Sequence, residues 1–168
     1  MITLDQLLAA RDRRRELQLR LLEAHPELTL IVLTVNIPGN IKQTPESRDI
    51  GNEGVRVLRE RFGTKLQELT VNDLPTGFEA FLLVDCDEEE AKTLSVETED
   101  THPLGRLMDI DVIGHDGVPL SRMARGHGAR QCLLCGDDAR VCMRSGRHTI
   151  IELTDEIHRL HDGYFKRI

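Results

Sequence analysis

Residues 107–113 run Leu-Met-Asp-Ile-Asp-Val-Ile, a short apolar and β-branched stretch that sets two carboxylates, Asp109 and Asp111, one residue apart. Such a run reads as a strand. Strand side chains alternate between faces, so both carboxylates project from the same side. Two bare carboxylates that close are costly unless one is protonated or a cation lies between them. Mg²⁺ suits the pair, because it takes one or two carboxylates and fills its other positions with water and substrate phosphates. Just upstream, Gly105 lets backbone approach a ligand, and Arg106 brings a guanidinium that grips phosphate oxygens. Read alone, Asp-x-Asp is also the pattern of an acidic pair on a solvent-facing edge strand.

The remaining pattern supplies the frame. Residues 4–24 read as an amphipathic helix with Leu4, Leu7, Leu8, Leu17, Leu21 and Leu22 on one face, its Arg11, Arg13, Arg14 and Arg15 being a solvated face. Strands are predicted at 28–36, 65–71, 79–84 and 94–99, a helix at 45–62 and a short acidic helix at 87–92. Strand 107–113 should meet 117–120 through a hairpin at His115-Asp116-Gly117, and Thr149-Ile-Ile-Glu152 opens a final helix. This predicts a single α+β domain over 1–168, a small mixed but largely antiparallel sheet with helices on one face and helical N- and C-termini. A glycine turn running into Asp-x-Asp on a strand is a nucleotidyltransferase-like arrangement, suited to holding a metal–triphosphate for in-line attack at phosphorus.

Composition narrows the partners. A net charge of −7, 3% aromatic residues and no tryptophan argue against a general nucleic-acid binder. Charge is also unevenly spread. Residues 79–100 hold nine acidic side chains and one lysine, whereas 121–148 hold six arginines against Asp137 and Asp138. A local basic face on an acidic protein suits a small polyphosphate and an acidic partner. No apolar run approaches the roughly 18 residues of a membrane span, and the first residues lead into a charged helix rather than a signal peptide, so a cytoplasmic protein is expected. Four cysteines in that setting point to thiols or a metal site, not a disulfide framework.

Specific motifs go further. His102-Pro-Leu-Gly105-Arg106-Leu-x-Asp109-Ile-Asp111-Val is followed by Leu120-Ser-Arg122, Arg130-x-Cys132-Leu-Leu-Cys135 and Ala139-x-x-Cys142-x-Arg144-x-x-x-His148. Upstream stand Leu7-Leu8-Ala-Ala-Arg11-Asp12-x-Arg14 and Pro38-Gly39-x-x-Lys42. This ordered set resembles the apo-citrate lyase phosphoribosyl-dephospho-CoA transferase (holo-citrate lyase synthase) family from about Leu7 to about Leu160, most densely over 102–148. The resemblance implies transfer of a 2′-(5″-phosphoribosyl)-3′-dephospho-CoA group from its triphosphate precursor to a serine of the citrate lyase acyl carrier subunit, with pyrophosphate leaving. It implies Mg²⁺ on Asp109 and Asp111, with arginines holding the pyrophosphate. The competing readings are another nucleotidyltransferase acting on a different protein or small molecule, or a non-catalytic carrier-docking module stapled by zinc.

Other residues extend the site. Glu97 and Glu99, on the expected strand 94–99, are candidate third metal ligands, Glu97 preferred as the deeper. Lys42 follows a Pro-Gly turn suited to phosphate, with Arg48 one helical turn beyond it. Arg106 is the strongest arginine and Arg122, after the hairpin, the second. Cys132, Cys135, Cys142 and His148 have spacing compatible with Zn²⁺, though the cysteines read first as packing thiols, while a redox role lacks a thioredoxin-like context. His148 could instead bind phosphate beside Arg144. His102, before proline, reads as a turn cap or a general base.

Overall fold

A central strand made almost wholly of buried aliphatic residues, β1 (Thr29–Val35), organises the chain. In the computed structural model, which describes residues 1–166, it lies between β3 (Gly77–Val84) and β4 (Met108–Ile113), with β2 (Leu66–Leu74) beyond β3. The last two residues of the expected domain fall outside the described residues. Every pairing in the order β2-β3-β1-β4 is antiparallel, so the mixed sheet expected from the sequence is antiparallel throughout. Five α-helices lie among the described residues: α1 (Leu4–Ala24), α2 (Pro45–Phe62), α3 (Glu88–Thr101), α4 (Ala139–Ser145) and α5 (Ile150–Phe165). The class is α+β.

Local chemistry explains where the long helices begin. Thr3 and Gln6, Thr44 and Ser47, and Thr149 and Glu152 each form a reciprocal capping box, and Pro45 occupies a first-turn position where no amide is needed. Two apolar layers sandwich the sheet. On one face Ile31, Leu33, Ala80, Leu82, Met108, Ile110 and Val112 pack with Ile50 and Leu58 of α2, Ala91 of α3 and Ile157 of α5. On the other, Leu30, Val32, Phe81, Leu83 and Ile113 meet Leu22 of α1. The helices therefore lie on both faces, not one. Only the C-terminal half of the α1 leucine stripe is used, since Leu4 and Leu8 are exposed.

Two elements depart from the expected pattern. Residues 94–99 are helical, because α3 runs unbroken from Glu88 to Thr101. Its threonine and serine content imitates a strand, but Thr93, Ser95, Thr98 and Thr101 all return their hydroxyls to the carbonyl one turn earlier. Asp87 caps this helix, and three glutamates in its first turn complement the dipole. Residues 117–120 form no strand either. The turn makes a single bridge between Ile113 and Pro119, and proline removes the donor a ladder would need.

Candidate active site

Strand β4 is an edge strand, laddered to β1 and met on its outer edge by the single Ile113–Pro119 bridge, and its alternation puts Met108, Ile110 and Val112 in the core and Asp109 and Asp111 on the opposite face. Across the ladder Asp109 faces Thr34 and Asp111 faces Val32. The free edge of β4 is not left to water. Glu99, at the end of α3, accepts the Ile110 amide at 2.7 Å, an answer to the unpaired-edge problem that also brings a third carboxylate beside the aspartates. Burial pushes the Glu99 carboxyl above its ordinary range, against the Arg130 charge and the Ile110 amide, and Asp109 adds to the rise. Burial and then the Asp109 charge push Asp111 upward too. Asp109 repels both Glu99 and Asp111 at a partly desolvated edge, an arrangement that calls for cations.

Those cations line the adjoining cleft, about 870 Å³ in volume, within the size range of ligand sites. Arg11 reaches it from α1, Lys42 from the loop after β1, Lys92 from α3, and Arg106 from the turn before β4; the segment after β4 adds Arg130 and Arg140. Arg130 donates to Asp109 at 2.6 Å and to the backbone carbonyls of Arg106 and Met108. Arg106 behaves differently. Among the described residues it has no ion pair, its Nε is buried without a partner, and burial, then the Arg130 charge, weigh against its own charge. A buried donor with no acceptor is the feature an incoming phosphate would satisfy. Among the described residues Lys42 donates its ammonium only to the Ile37 carbonyl, and burial followed by the Arg11 charge lowers its pKa.

Several residues picked from the sequence stand elsewhere. Glu97 points away from the aspartates and pairs with Arg61 at 3.2 Å, so Glu99 is the glutamate that joins them. Gly105 is buried and does not border the cleft; an added Cβ would lie 2.4 Å from the Glu99 carbonyl. Its smallness serves packing against α3. Arg48 pairs with Asp73 at 2.6 Å, and Arg144 is exposed; neither lines the cleft. Arg122 lines it but commits its terminal nitrogens to Glu99 and Asp100. Arg11, Lys92, Arg130 and Arg140 were passed over. Lys92 and Glu99 lie seven residues apart on one face of the continuous helix α3, whereas the sequence reading put them on two separate elements, a helix at 87–92 and a strand at 94–99.

His102 is turned from the cleft. Its Nδ1 accepts the Leu104 amide at 3.1 Å, and its Nε2 stands 3.3 Å from Glu53. The buried Glu53 carboxylate also accepts from Arg56 and Tyr164, which ties α2, α5 and the entry to β4 together. The Arg56 hydrogen bond leads in holding Glu53 down to about 2, against the effect of burial. A depressed carboxyl contributes stability above its unfolded value and loses it as pH falls toward the folded one. With half-exposed Arg56 discounted for screening, Glu53 should contribute on the order of 2 kcal/mol at neutral pH, lost between about pH 4.5 and 2. Urea unfolding across that window should show Glu53→Gln losing less stability than the parent; equal losses would remove Glu53 from that role.

Beyond the cationic wall, the Cys132, Cys135 and Cys142 sulfurs and a His148 ring nitrogen all lie within 4.8 Å of one another, a donor set that fits Zn²⁺. The His148 imidazole, then the Asp137 amide, draw the Cys135 thiol below its ordinary range, while the neighbouring Cys135 and burial raise Cys142.

A carboxylate trio at a sheet edge, facing a cleft lined with arginine and lysine, is chemically a site for a phosphorylated ligand and a hard cation. The model of the family described as apo-citrate lyase phosphoribosyl-dephospho-CoA transferase matches residues 2–164. The chain belongs to that family. A protein named apo-citrate lyase phosphoribosyl-dephospho-CoA transferase from Escherichia coli O1:K1 is 37% identical over 162 residues, covering 95% of this chain and 86% of the relative. One of the same name from Shigella boydii serotype 18 is also 37% identical. A Streptococcus pyogenes serotype M18 protein, named as a probable member, is 32% identical over 170 residues, 99% of this chain and 88% of its own length. Among the described residues no helix is long and apolar enough to cross a membrane.

Proposed function

We propose that this protein, acting as one nucleotidyltransferase-like domain in the cytoplasm, transfers the 2′-(5″-phosphoribosyl)-3′-dephospho-CoA group from its triphosphate precursor to a serine of the citrate lyase acyl carrier subunit. Family membership and the relatives' names support the reaction. The observation that carries the site is Arg106, whose Nε is buried with no hydrogen-bond partner and which makes no ion pair among the described residues, in the same cleft as Asp109 and Asp111.

In this reading the serine Oγ attacks the α-phosphorus and its proton passes to solvent water; a P–O bond to the carrier forms, and the P–O bond to the departing pyrophosphate breaks. The donor set fits a hard cation, since Asp109, Asp111 and Glu99 offer only oxygen ligands where burial penalises uncompensated charge. Asp109 and Asp111, joined by Glu99, would hold Mg²⁺, which when bound supplies charge neutralisation to the triphosphate. Arg106 and Lys42 grip the phosphates that leave, where preorganised donors stabilise the charge that develops. Arg140 adds a cation at the rim. Arg122 holds Glu99 in place through its ion pair.

The test is the intact mass of apo-acyl carrier subunit after incubation with this protein, Mg²⁺ and the triphosphate precursor. The expected result is a gain equal to the phosphoribosyl-dephospho-CoA group, with none when ATP replaces the precursor. No gain with folded protein and fresh precursor, or an equal gain with ATP, would overturn the assignment in favour of another transferase.

A further inference from the structure

We infer that Cys132, Cys135, Cys142 and His148 form a closed, structural zinc site that fixes the cleft wall carrying Arg130 and Arg140. The inference rests on the geometry of these residues and is independent of the reaction proposed above.

The backbone presents the four donors from three short pieces. Cys132-Leu-Leu-Cys135 forms a tight turn, closed by the Cys132 amide on the Asp137 carbonyl and by a bridge between Gln131 and Asp138. Gly136 follows with φ 73°, a left-handed conformation that lets the chain fold back beneath the second sulfur and that other residues resist. Asp138 then caps α4, which carries Cys142, and Gly146 ends that helix in the left-handed region. His148 comes next, directly before the Thr149 cap of α5.

Distances agree with a single ion. Zn–S bonds of about 2.3 Å and Zn–N bonds of about 2.0 Å put tetrahedral ligands roughly 3.5–3.8 Å apart. The Cys135 and Cys142 sulfurs stand 3.3 Å apart and all four donors fall within 4.8 Å, so closure needs side-chain movement of about an ångström. A second observation points to a ligand. The His148 Nε2 is buried with no hydrogen-bond partner among the described residues, an unmet polar atom on the ring that brings a nitrogen to the three sulfurs. Three thiolates and one imidazole leave Zn²⁺ with one excess negative charge, and the Arg147 guanidinium lies 3.7 Å from the Cys135 sulfur to offset it. Four protein donors leave no open position, the mark of a structural rather than a catalytic site.

Other readings of the cluster fit less well. Cys135 is exposed, so it is no packing thiol. The sulfurs in hydrogen-bond contact at 3.3 Å are those of Cys135 and Cys142, not the Cys132–Cys135 pair that a dithiol motif would use. The segment also needs a staple. Between β4 and α5 the only α-helix is α4, of seven residues, and Met123, Val141 and Met143 are exposed rather than packed in a core. Metal binding can supply the ordering free energy that such a segment lacks. Arg130 stands two residues before Cys132 and Arg140 two before Cys142, so a metal here fixes both cleft arginines.

The experiment is metal analysis of the full-length protein purified in reducing buffer with zinc in the growth medium. It is followed by cobalt substitution and by limited trypsin digestion with and without a chelator. The expected results are about one zinc per chain, thiolate-to-cobalt charge-transfer bands with intense tetrahedral d–d absorption, and chelator-induced cleavage confined to the arginines of 122–147. Cys135→Ser and His148→Ala should each lower zinc retention at least tenfold under competition with a chromogenic chelator, while Cys86→Ser should not. Zinc below one-tenth per chain after reduction and reconstitution would overturn the proposal, as would a Cys135–Cys142 disulfide in the reduced preparation. So would bound zinc that survives Cys135→Ser and His148→Ala unchanged.

Discussion

Replacing Asp109 by alanine is expected to lower the rate of transfer to the carrier by about 10²–10³-fold, the scale of losing one preorganised electrostatic contact to a transition state, or about 3–4 kcal/mol. The fold should hardly notice. Asp109 is 45% exposed in its ion pair with Arg130, and pairs of that exposure contribute at most about 1 kcal/mol. Thermal melting should therefore stay close to the parent's while single-turnover rates collapse. Raised Mg²⁺ should recover part of the rate if Asp111 and Glu99 still offer ligands. A variant that transfers within a few-fold of the parent, with unchanged Mg²⁺ dependence, would remove Asp109 from the metal site. A variant that melts far below the parent would instead make the Arg130 pair a structural element.

Gly105→Ala should damage the protein through backbone rather than chemistry. The new Cβ would meet the Glu99 carbonyl oxygen at 2.4 Å, the Thr98 carbonyl oxygen at 2.5 Å and the Glu99 carbonyl carbon at 2.8 Å. All three atoms are backbone, so no side-chain rotation relieves the clash, and the end of α3 must part from the start of β4. Overpacking of that kind costs about 3 kcal/mol, a fall of roughly 6–12 °C in melting temperature for a chain of this size. Activity should fall as well, because Glu99 and Asp109 hang on the two segments that separate. Gly128→Ala is the control, since nothing lies within 4 Å of its added Cβ and its backbone is not left-handed. If Gly105→Ala melts within about 2 °C of the parent, the close approach is not what selects glycine there.

Some elements were legible because their signal is local. The capping box at Thr149 announces a helix whatever surrounds it, and the β-branched, apolar run of β1 reads as a core strand. The spacing of Asp109 and Asp111 likewise guarantees a shared face once β4 forms. Residues 94–99 were not legible, because the competing states differ by packing rather than propensity. As a strand they would make Glu97 and Glu99 equivalent neighbours. As a helix they send Glu97 to Arg61 and Glu99 to the Ile110 amide.

What the amino-acid order alone determined is the chemistry on offer: paired aspartates, a preceding Gly-Arg, a basic stretch, and four zinc-type donors at compact spacing. Tertiary structure decided which members of each set meet. It drew Arg11 and Lys92 into the cleft, took Arg48 and Arg144 out of it, and turned His102 toward Glu53. The physical reason is range. Capping and alternation act over a few residues and are written in consecutive positions. The laddering of β4 along one edge only, which brings Glu99 to the aspartates, depends on strand order across the whole sheet.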